Sequence, residues 1–282
     1  MKDIFGYHEV VTRLRKFFQE KKKFIEVPAQ SRLSILAACE DPKTITRFVF
    51  DGVDYPLPQT GQMWLEYELL KRPDIVGVFC VTTSYRNEPD PVEGRHDKIF
   101  PMFEFEAKGG MDALKSLEEE MLLFLGFDQP KSYRYEEICQ LWNKDDLDAA
   151  DELRMEKEFG PVISLEEFPE RTDPFWNMKR ESKDIFNKID VILYGMETVG
   201  SAERATDVEE MREQFLRISD GKYAELLFQK FGRCRVMKEL DDYLDLKMFQ
   251  RFGGGIGVTR LVRAMRLAGL ISDVAYPAHA TA

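Results

Sequence analysis

The sequence predicts an α+β fold, an antiparallel sheet flanked by helices. Three observations predict it. Residues 76–106, VGVFCVTTSYRNEPDPVEGRHDKIFPMFEFE, hold two strand-like runs joined by a charged loop rich in Pro and Gly. Residues 111–127 place Leu114, Leu117, Met121, Leu122 and Leu125 on one continuous stripe, the signature of a helix packed on a sheet. A third β-rich stretch, ITRFVFDGVDYPL, turns at Asp51-Gly52 as a hairpin does.

The elements follow in order. Between Tyr7 and Lys23, Val10, Val11, Leu14, Phe17 and Phe18 recur at helical spacing, so a helix and then a short strand, FIEVP, are expected. The closing Lys run reads as a solvated helix end. Ser31 to Thr46 has no clean period. In PQTGQMWLEYELLK, Met63, Trp64, Tyr67 and Leu70 share a helical face. Residues 128–183 suggest one or two acidic helices, YEEICQLWN and AADELRMEKEF, then a strand near PVISLEEFP. A short piece of sheet is expected at DPFWNMKR, with Phe175 and Trp176 in the core. After a strand and bend in IDVILYGMETVGSAER, Arg204 to Tyr243 reads as two amphipathic helices. Met211, Phe215 and Ile218 mark the first, and Leu226, Leu227 and Phe231 the second. The segment FGGGIGVTRLVRAMRLAGL reads as a Gly-rich strand feeding a helix.

The 282 residues, 44% of them hydrophobic, can bury one large core or a core with a small appendage. No apolar run is long enough to span a bilayer, and MKDIFGYHEV lacks the basic end and apolar stretch of a signal peptide. Cys39, Cys80, Cys139 and Cys234 have no paired spacing and read as reduced thiols of a cytoplasmic protein. The net charge of −11 disfavours a broad nonspecific nucleic-acid surface, though a local basic patch can bind RNA on an acidic protein.

Chemistry concentrates in three places. In residues 76–106, Arg86 and Glu88 end the first strand, Arg95 and His96 sit in the loop, and Phe100, Glu104 and Glu106 share one parity and hence one face. Cations at one end, a ring in the middle and carboxylates at the other fit a ligand with phosphates, a flat base and an amine, such as ATP beside an amino acid. They fit equally a solvated hairpin with cross-strand ion pairs. Second, Asp190 and Glu197 lie seven residues apart with Arg204 seven further on. Two such carboxylates can hold Mg2+, or can be unrelated acids. Third, GGGIG lacks the Lys-Ser or Lys-Thr of a P-loop and is not G-x-G-x-x-G after a first strand.

In combination these stretches resemble the three motifs of class II aminoacyl-tRNA synthetases, and are most similar to the asparaginyl and aspartyl members. The helix and strand around Pro28 resemble motif 1, which implies a homodimer. The spacing from His96 through Phe100 to Glu104 and Glu106 resembles motif 2. That resemblance implies Arg86 on the α-phosphate, Glu88 on the adenine amino group, Arg95 or His96 on the outer phosphates, Phe100 on the adenine face and Glu104 on the substrate α-amine. FGGGIGVTR resembles motif 3, with Arg260 at the helix start and Gly253, Gly255 and Gly257 letting adenine approach the backbone. TGQMWLE is similar to the asparaginyl pattern, in which Gln62 lines the amino-acid pocket. Aspartyl enzymes carry Lys where Leu65 stands here, and Glu66 follows. Glu40 is similar in position to an acidic residue that meets the amine from a mobile loop. Asp190 and Glu197 match the acids that bind metal or phosphates, and Arg204 the arginine that reads the substrate side chain. Ile99, Glu203, Arg251 and Ser272 depart from the pattern, where the family has Glu, Gln, His and Arg.

The resemblance implies one catalytic domain over residues 1–282, with 128–183 as a small variable insertion. No room is left for the family's anticodon-binding barrel of on the order of 100 residues. Its implied activity is that of an ATP-dependent ligase that activates asparagine, or aspartate, as an aminoacyl-adenylate, for transfer to tRNA or another acceptor. Two alternatives stand beside it: a related asparagine synthetase using aspartate and ammonia, and a non-catalytic regulatory paralogue. Loss of the anticodon domain favours the synthetase and Leu65 disfavours it. Retention of Arg86, Glu88, Phe100, Asp190, Glu197 and Arg260 disfavours a silent protein.

Overall fold

The structure, a computed structural model, describes residues 3–30, 32–92, 95 and 97–272. Asp3 opens helix α1 (Ile4–Arg15) by accepting the Gly6 amide at 2.9 Å, and the helix continues as a π-type turn over Lys16–Lys21. Val10, Val11, Leu14, Phe17 and Phe18 are all buried, as their spacing requires. Then come β1 (Ile25–Glu26) and the hairpin of β2 (Arg47–Phe50) and β3 (Val53–Pro56). Asp51 and Gly52 both take positive φ, 51° and 74°, which matches the strand twist. Next are α2 (Gln62–Lys71), β4 (Gly77–Tyr85), β5 (Ile99–Lys108) and α3 (Met111–Leu125). The acidic stretch forms β6 (Lys131–Arg134), α4 (Tyr135–Trp142), α5 (Ala149–Phe159), β7 (Val162–Pro169) and β8 (Arg180–Ser182). The remainder is β9 (Ile185–Leu193), β10 (Glu197–Glu203), α6 (Val208–Arg217), α7 (Lys222–Phe231), α8 (Arg233–Leu244), β11 (Arg251–Gly257) and α9 (Val258–Leu267).

Three helices, not two, fill the stretch from Arg204 to Tyr243. Ser219, Asp220 and Gly221 at φ 53°, 56° and 81° end the first run, and Gly232 at 87° ends the second. Left-handed backbone cannot continue a right-handed helix. β6 is a further element that the sequence pattern does not announce. A strand at Val274, the end of the stretch that the family resemblance covers, lies outside the described residues.

Among the described residues, the main sheet runs β1-β4-β5-β11-β10-β9-β7-β6, with β8 on β9. It is antiparallel apart from the pairs β1–β4 and β6–β7. Strand alternation gives it two unlike faces. On one, Phe79, Phe103, Phe105 and Ile256 meet α1, α3 and α9 in a core that includes Phe18, Leu122 and Met265. The rings of Phe79 and Phe103 stack at 5.1 Å. On the other, α2 and α6 to α8 gather around Trp176, Phe215 and Tyr243 in a second core. Between that core and β7, the middle of the sheet stays open and forms a cleft.

Glu118 of α3 is buried against the sheet, and Oε1 has no hydrogen-bond partner. Burial pushes its carboxyl up to about 8, against the pull of the Ser201 hydroxyl and with the charges of Asp190 and Glu166 adding to the rise. A raised carboxylate stabilises the fold fully below its unfolded value and loses that contribution as pH rises through the folded one. Between pH 5 and pH 8 this residue therefore costs the wild type up to roughly 3 kcal/mol. Urea unfolding at the two pH values should show that loss in wild type and not in Glu118→Gln. Equal loss in both proteins would place the pH dependence elsewhere.

Candidate functional site

The cleft has a volume of about 510 Å³ and runs across β5, β10 and β11. At one end Arg86 follows β4, its backbone N–H donating to the Lys98 carbonyl at 2.8 Å. Its guanidinium lies 5.6 Å from the centre of the Phe100 ring and is ion-paired with Glu40 from the loop before β2. The Glu40 carboxylate holds the Arg86 proton above the ordinary arginine range. Glu88 and Arg95 line the same end, with Arg95 paired to Glu152 of α5. His96, the other expected phosphate contact, lies outside the described residues. Arg260 opens α9 and donates to the carbonyls of Glu197 at 2.7 Å and Arg95 at 3.5 Å. Burial draws its pKa down.

Asp190 and Glu197 approach each other over Gly200. A Cβ there would lie 3.5 Å from Asp190 Oδ1 and 3.2 Å from Glu197 Oε1, so the glycine makes room for both carboxylates. Glu197 lines the cleft, whereas Asp190 lies at its buried base, ion-paired with Lys188. Asp190 Oδ1 has no partner, and burial pushes the carboxyl up to about 7. Among the described residues, no cluster of three or more His, Cys, Asp or Glu is arranged to hold a metal ion.

At the opposite end, Glu104 is fully buried yet faces the cleft. The hydroxyls of Thr60 and Thr82 donate to it, as does the Gly61 amide at 2.8 Å. Burial still raises its pKa. Gln62, first in α2, lies beside it and accepts from Arg204 Nη2 at 2.6 Å. β11 runs beside β5 with Gly255 opposite Glu104 and Gly253 opposite Glu106. A Cβ on Gly255 would come within 3.1 Å of Gln62 Nε2, and one on Gly253 within 2.0 Å of Glu106 Oε1. Gly255 and Gly257 line the cleft as expected. The space above Gly253 is taken by Glu106, not left for a ligand.

Two expected pocket residues stand one layer lower. Arg204 is 2% exposed and gives its guanidinium to Glu106, with Nε at 3.0 Å. Glu66, expected to line the pocket, is completely buried beneath it. It accepts from Asn177, Tyr243 and Arg251, each at 2.7 Å. α2 lies against the sheet, so a residue one turn beyond Gln62 points under the floor. Glu203, expected beside the pocket, instead turns to Lys179, Asn187 and Gln250. Its neighbour Arg204 faces the other way, as strand alternation demands.

Sequence reasoning passed over Thr60, Glu152 and Arg263. Arg263 lines the cleft one turn after Arg260 and donates to the Tyr194 carbonyl at 3.0 Å. Its spacing of three from Arg260 was a legible signal. Glu152 had none, because it reaches Arg95 and the Glu197 amide (2.7 Å) from a distant segment.

The family model for class II tRNA synthetases (D, K and N) matches residues 1–280. No protein of curated function matches the sequence. Among solved structures, asparaginyl-tRNA synthetase from Pyrococcus horikoshii complexed with asparaginyl-adenylate superposes with a TM-score of 0.76 at 19% identity, over 92% of this chain and 64% of that one. Entamoeba histolytica asparaginyl-tRNA synthetase in complex with asparaginyl-adenylate gives 0.69 at 20% identity, over 94% and 63%. A putative aspartyl-tRNA synthetase from Leishmania major Friedlin gives 0.68 at 17%, over 94% and 64%. The likeness to these structures is one of fold, and the chain spans less than two thirds of the length of each.

The crowding at Gly253 generates a test. Gly253→Ala forces a methyl group into the buried Glu106 carboxylate, and overpacking of this kind costs about 1–3 kcal/mol. Chemical denaturation should show that loss. An unchanged midpoint would mean the floor has room that its spacing denies.

Proposed function

We propose, for a chain that belongs to the D, K and N family of class II tRNA synthetases, that it activates asparagine with ATP to give an aminoacyl-adenylate and pyrophosphate. The observation that carries this reading is the meeting of Arg86, Phe100 and Arg260 with Gln62 and Glu104 in one cleft, from three separated segments. The cleft suits ATP at the arginine end and an amino acid at the other. Phe100 offers a ring face to adenine, and Glu88 an acceptor for its amino group. The amino-acid carboxylate attacks the α-phosphate in line, and no protein nucleophile is needed. Arg86 and Arg260 stabilise the charge that grows on the phosphate oxygens.

Arg86 is paired with Glu40. Phosphate replaces that carboxylate on the guanidinium and leaves Glu40 to join Glu104 around the substrate ammonium. Arg95 and Arg263 supply further positive charge toward the outer phosphates. Asp190 and Glu197 would hold Mg2+, which would supply charge neutralisation at the phosphate oxygens. The unpartnered Asp190 Oδ1 fits that role.

The choice of amide over acid is supported by Arg204, whose charge is already committed to Glu106. Leu65 is fully buried and adds no cation. A substrate carboxylate meets no uncompensated positive charge there, whereas an amide needs none. The activated group passes to tRNA or another acceptor. Ile4, Phe5 and Ile25, exposed on α1 and β1, support a homodimer. No helix among the described residues is long and apolar enough to cross a membrane.

Amino-acid-dependent pyrophosphate exchange tests the reading. Asparagine should support exchange at least tenfold better than aspartate. Arg86→Ala should lower the rate by on the order of 100-fold or more while the thermal melt stays cooperative. Equal exchange with both amino acids sinks the amide choice, and ammonium-dependent conversion of aspartate and ATP to asparagine, AMP and pyrophosphate makes the protein an asparagine synthetase. Unaltered kinetics in Arg86→Ala remove the arginine from the mechanism.

Calorimetry checks the metal. Mg2+ should bind tightly only with ATP present, because two carboxylates leave most of its octahedron to water. Tight binding without nucleotide, or equal binding by Asp190→Asn, would assign the site to something else.

A further inference from the structure

Beneath Gln62 the structure holds a row of four buried charges of alternating sign. Arg251, the first residue of β11, is completely buried and grips Glu66 Oε2 with Nε at 3.0 Å and Nη2 at 2.7 Å. Its remaining donors reach Tyr243 Oη at 2.6 Å and the carbonyl of Ala205 at 3.1 Å. Tyr243 in turn donates to Glu66 Oε2 at 2.7 Å. Oε1 of Glu66 accepts from Asn177 at 2.7 Å and stands 3.9 Å from Arg204 Nε. Arg204 pairs with Glu106, and its Nη2 ends the row on the Gln62 side chain at the cleft wall. All four charged residues are at most 2% exposed.

We propose that Arg251 and Glu66 are specificity-determining positioning residues, a buried ion pair that sets the charge under the amino-acid pocket and thereby selects an amide over a carboxylate side chain. Neither residue touches the cleft; both act through Arg204. The inference rests on the reading of the cleft as an amino-acid site.

The physical reason is the dry setting. Charges removed from water act over longer distances than exposed ones, and a partner left alone is costly. With all four groups charged the row is neutral. Arg251 occupies Glu66, so Glu66 does not compete with Glu106 for Arg204, and Arg204 Nη2 stays directed at Gln62. Removing the Glu66 charge adds one positive charge to the row and favours a substrate carboxylate. Removing the Arg251 charge adds one negative charge, turns Glu66 on Arg204 and disfavours that carboxylate. Both directions hold whether or not Glu106 carries a proton.

The test is the ratio of kcat/KM for asparagine to that for aspartate in pyrophosphate exchange, with the KM for ATP measured alongside. E66Q should lower the ratio about tenfold, R251M should raise it about tenfold, and E66Q/R251M should return it to within about threefold of wild type. R251K, which keeps the charge, should hold the wild-type ratio even with a raised KM. The KM for ATP should stay within about twofold throughout, since adenine and phosphates bind at the other end. Opposite shifts from two neighbouring substitutions are not what loosened packing produces. Shifts of the same sign in E66Q and R251M, an unmoved ratio, or a parallel change in the KM for ATP overturns the inference. E66Q preserves shape and decides the question by itself should R251M fail to fold. Wild type that activates neither amino acid overturns the proposed function instead, whereas wild type that activates them with a ratio indifferent to E66Q and R251M overturns this inference alone.

Discussion

The pairing of β5 with β11 is the constraint from which the rest of the molecule follows. In one register it sets Phe103, Phe105 and Ile256 into the helix-covered core and Glu104, Glu106, Gly253 and Gly255 toward the cleft. Strand alternation does both at once, so the site cannot shift without the core. Because β11 presents hydrogen atoms where side chains would stand, two glutamates and a glutamine lie flat against its backbone. Any Cβ at Gly253 would collide with the carboxylate that anchors Arg204.

Charge is sorted by depth. Arg86, Arg95, Arg260 and Arg263 line the cleft and rest on carbonyls or on carboxylates that keep some contact with water. Such partners are exchanged at modest cost. Arg204 and Arg251 are locked to fully buried glutamates, and to separate those pairs would strand a charge in a dry interior. One residue type thus does two jobs: the cleft arginines are available, and the buried ones shape.

The acidic middle of the chain joins the same structure. α5 packs beside β7 and sends Glu152 to Arg95 and to the Glu197 amide. That contact ties the connection after β4 to the start of β10 at Glu197. Residues 128–183 therefore back the cleft through Glu152 and do not line it.

Much of this was legible in the sequence because it depends on period and spacing. Parity put Phe100, Glu104 and Glu106 on one face of β5, the 3.6-residue stripe found α1 and α3, and Asp51-Gly52 marked its hairpin. Family resemblance, carried by three short motifs, is matched by the family model over residues 1–280 and by the observed fold. The tertiary structure decided depth. Spacing tells which side of a helix or strand a residue takes, not what lies there. Gln62 and Glu66 are a turn apart on α2, yet one lines the cleft and the other is sealed under it by β11 and α8. Arg251 and Glu203 read as departures from a pattern. Only the packed chain gave each of them a buried partner, because those partners come from segments distant in sequence and no local rule connects them.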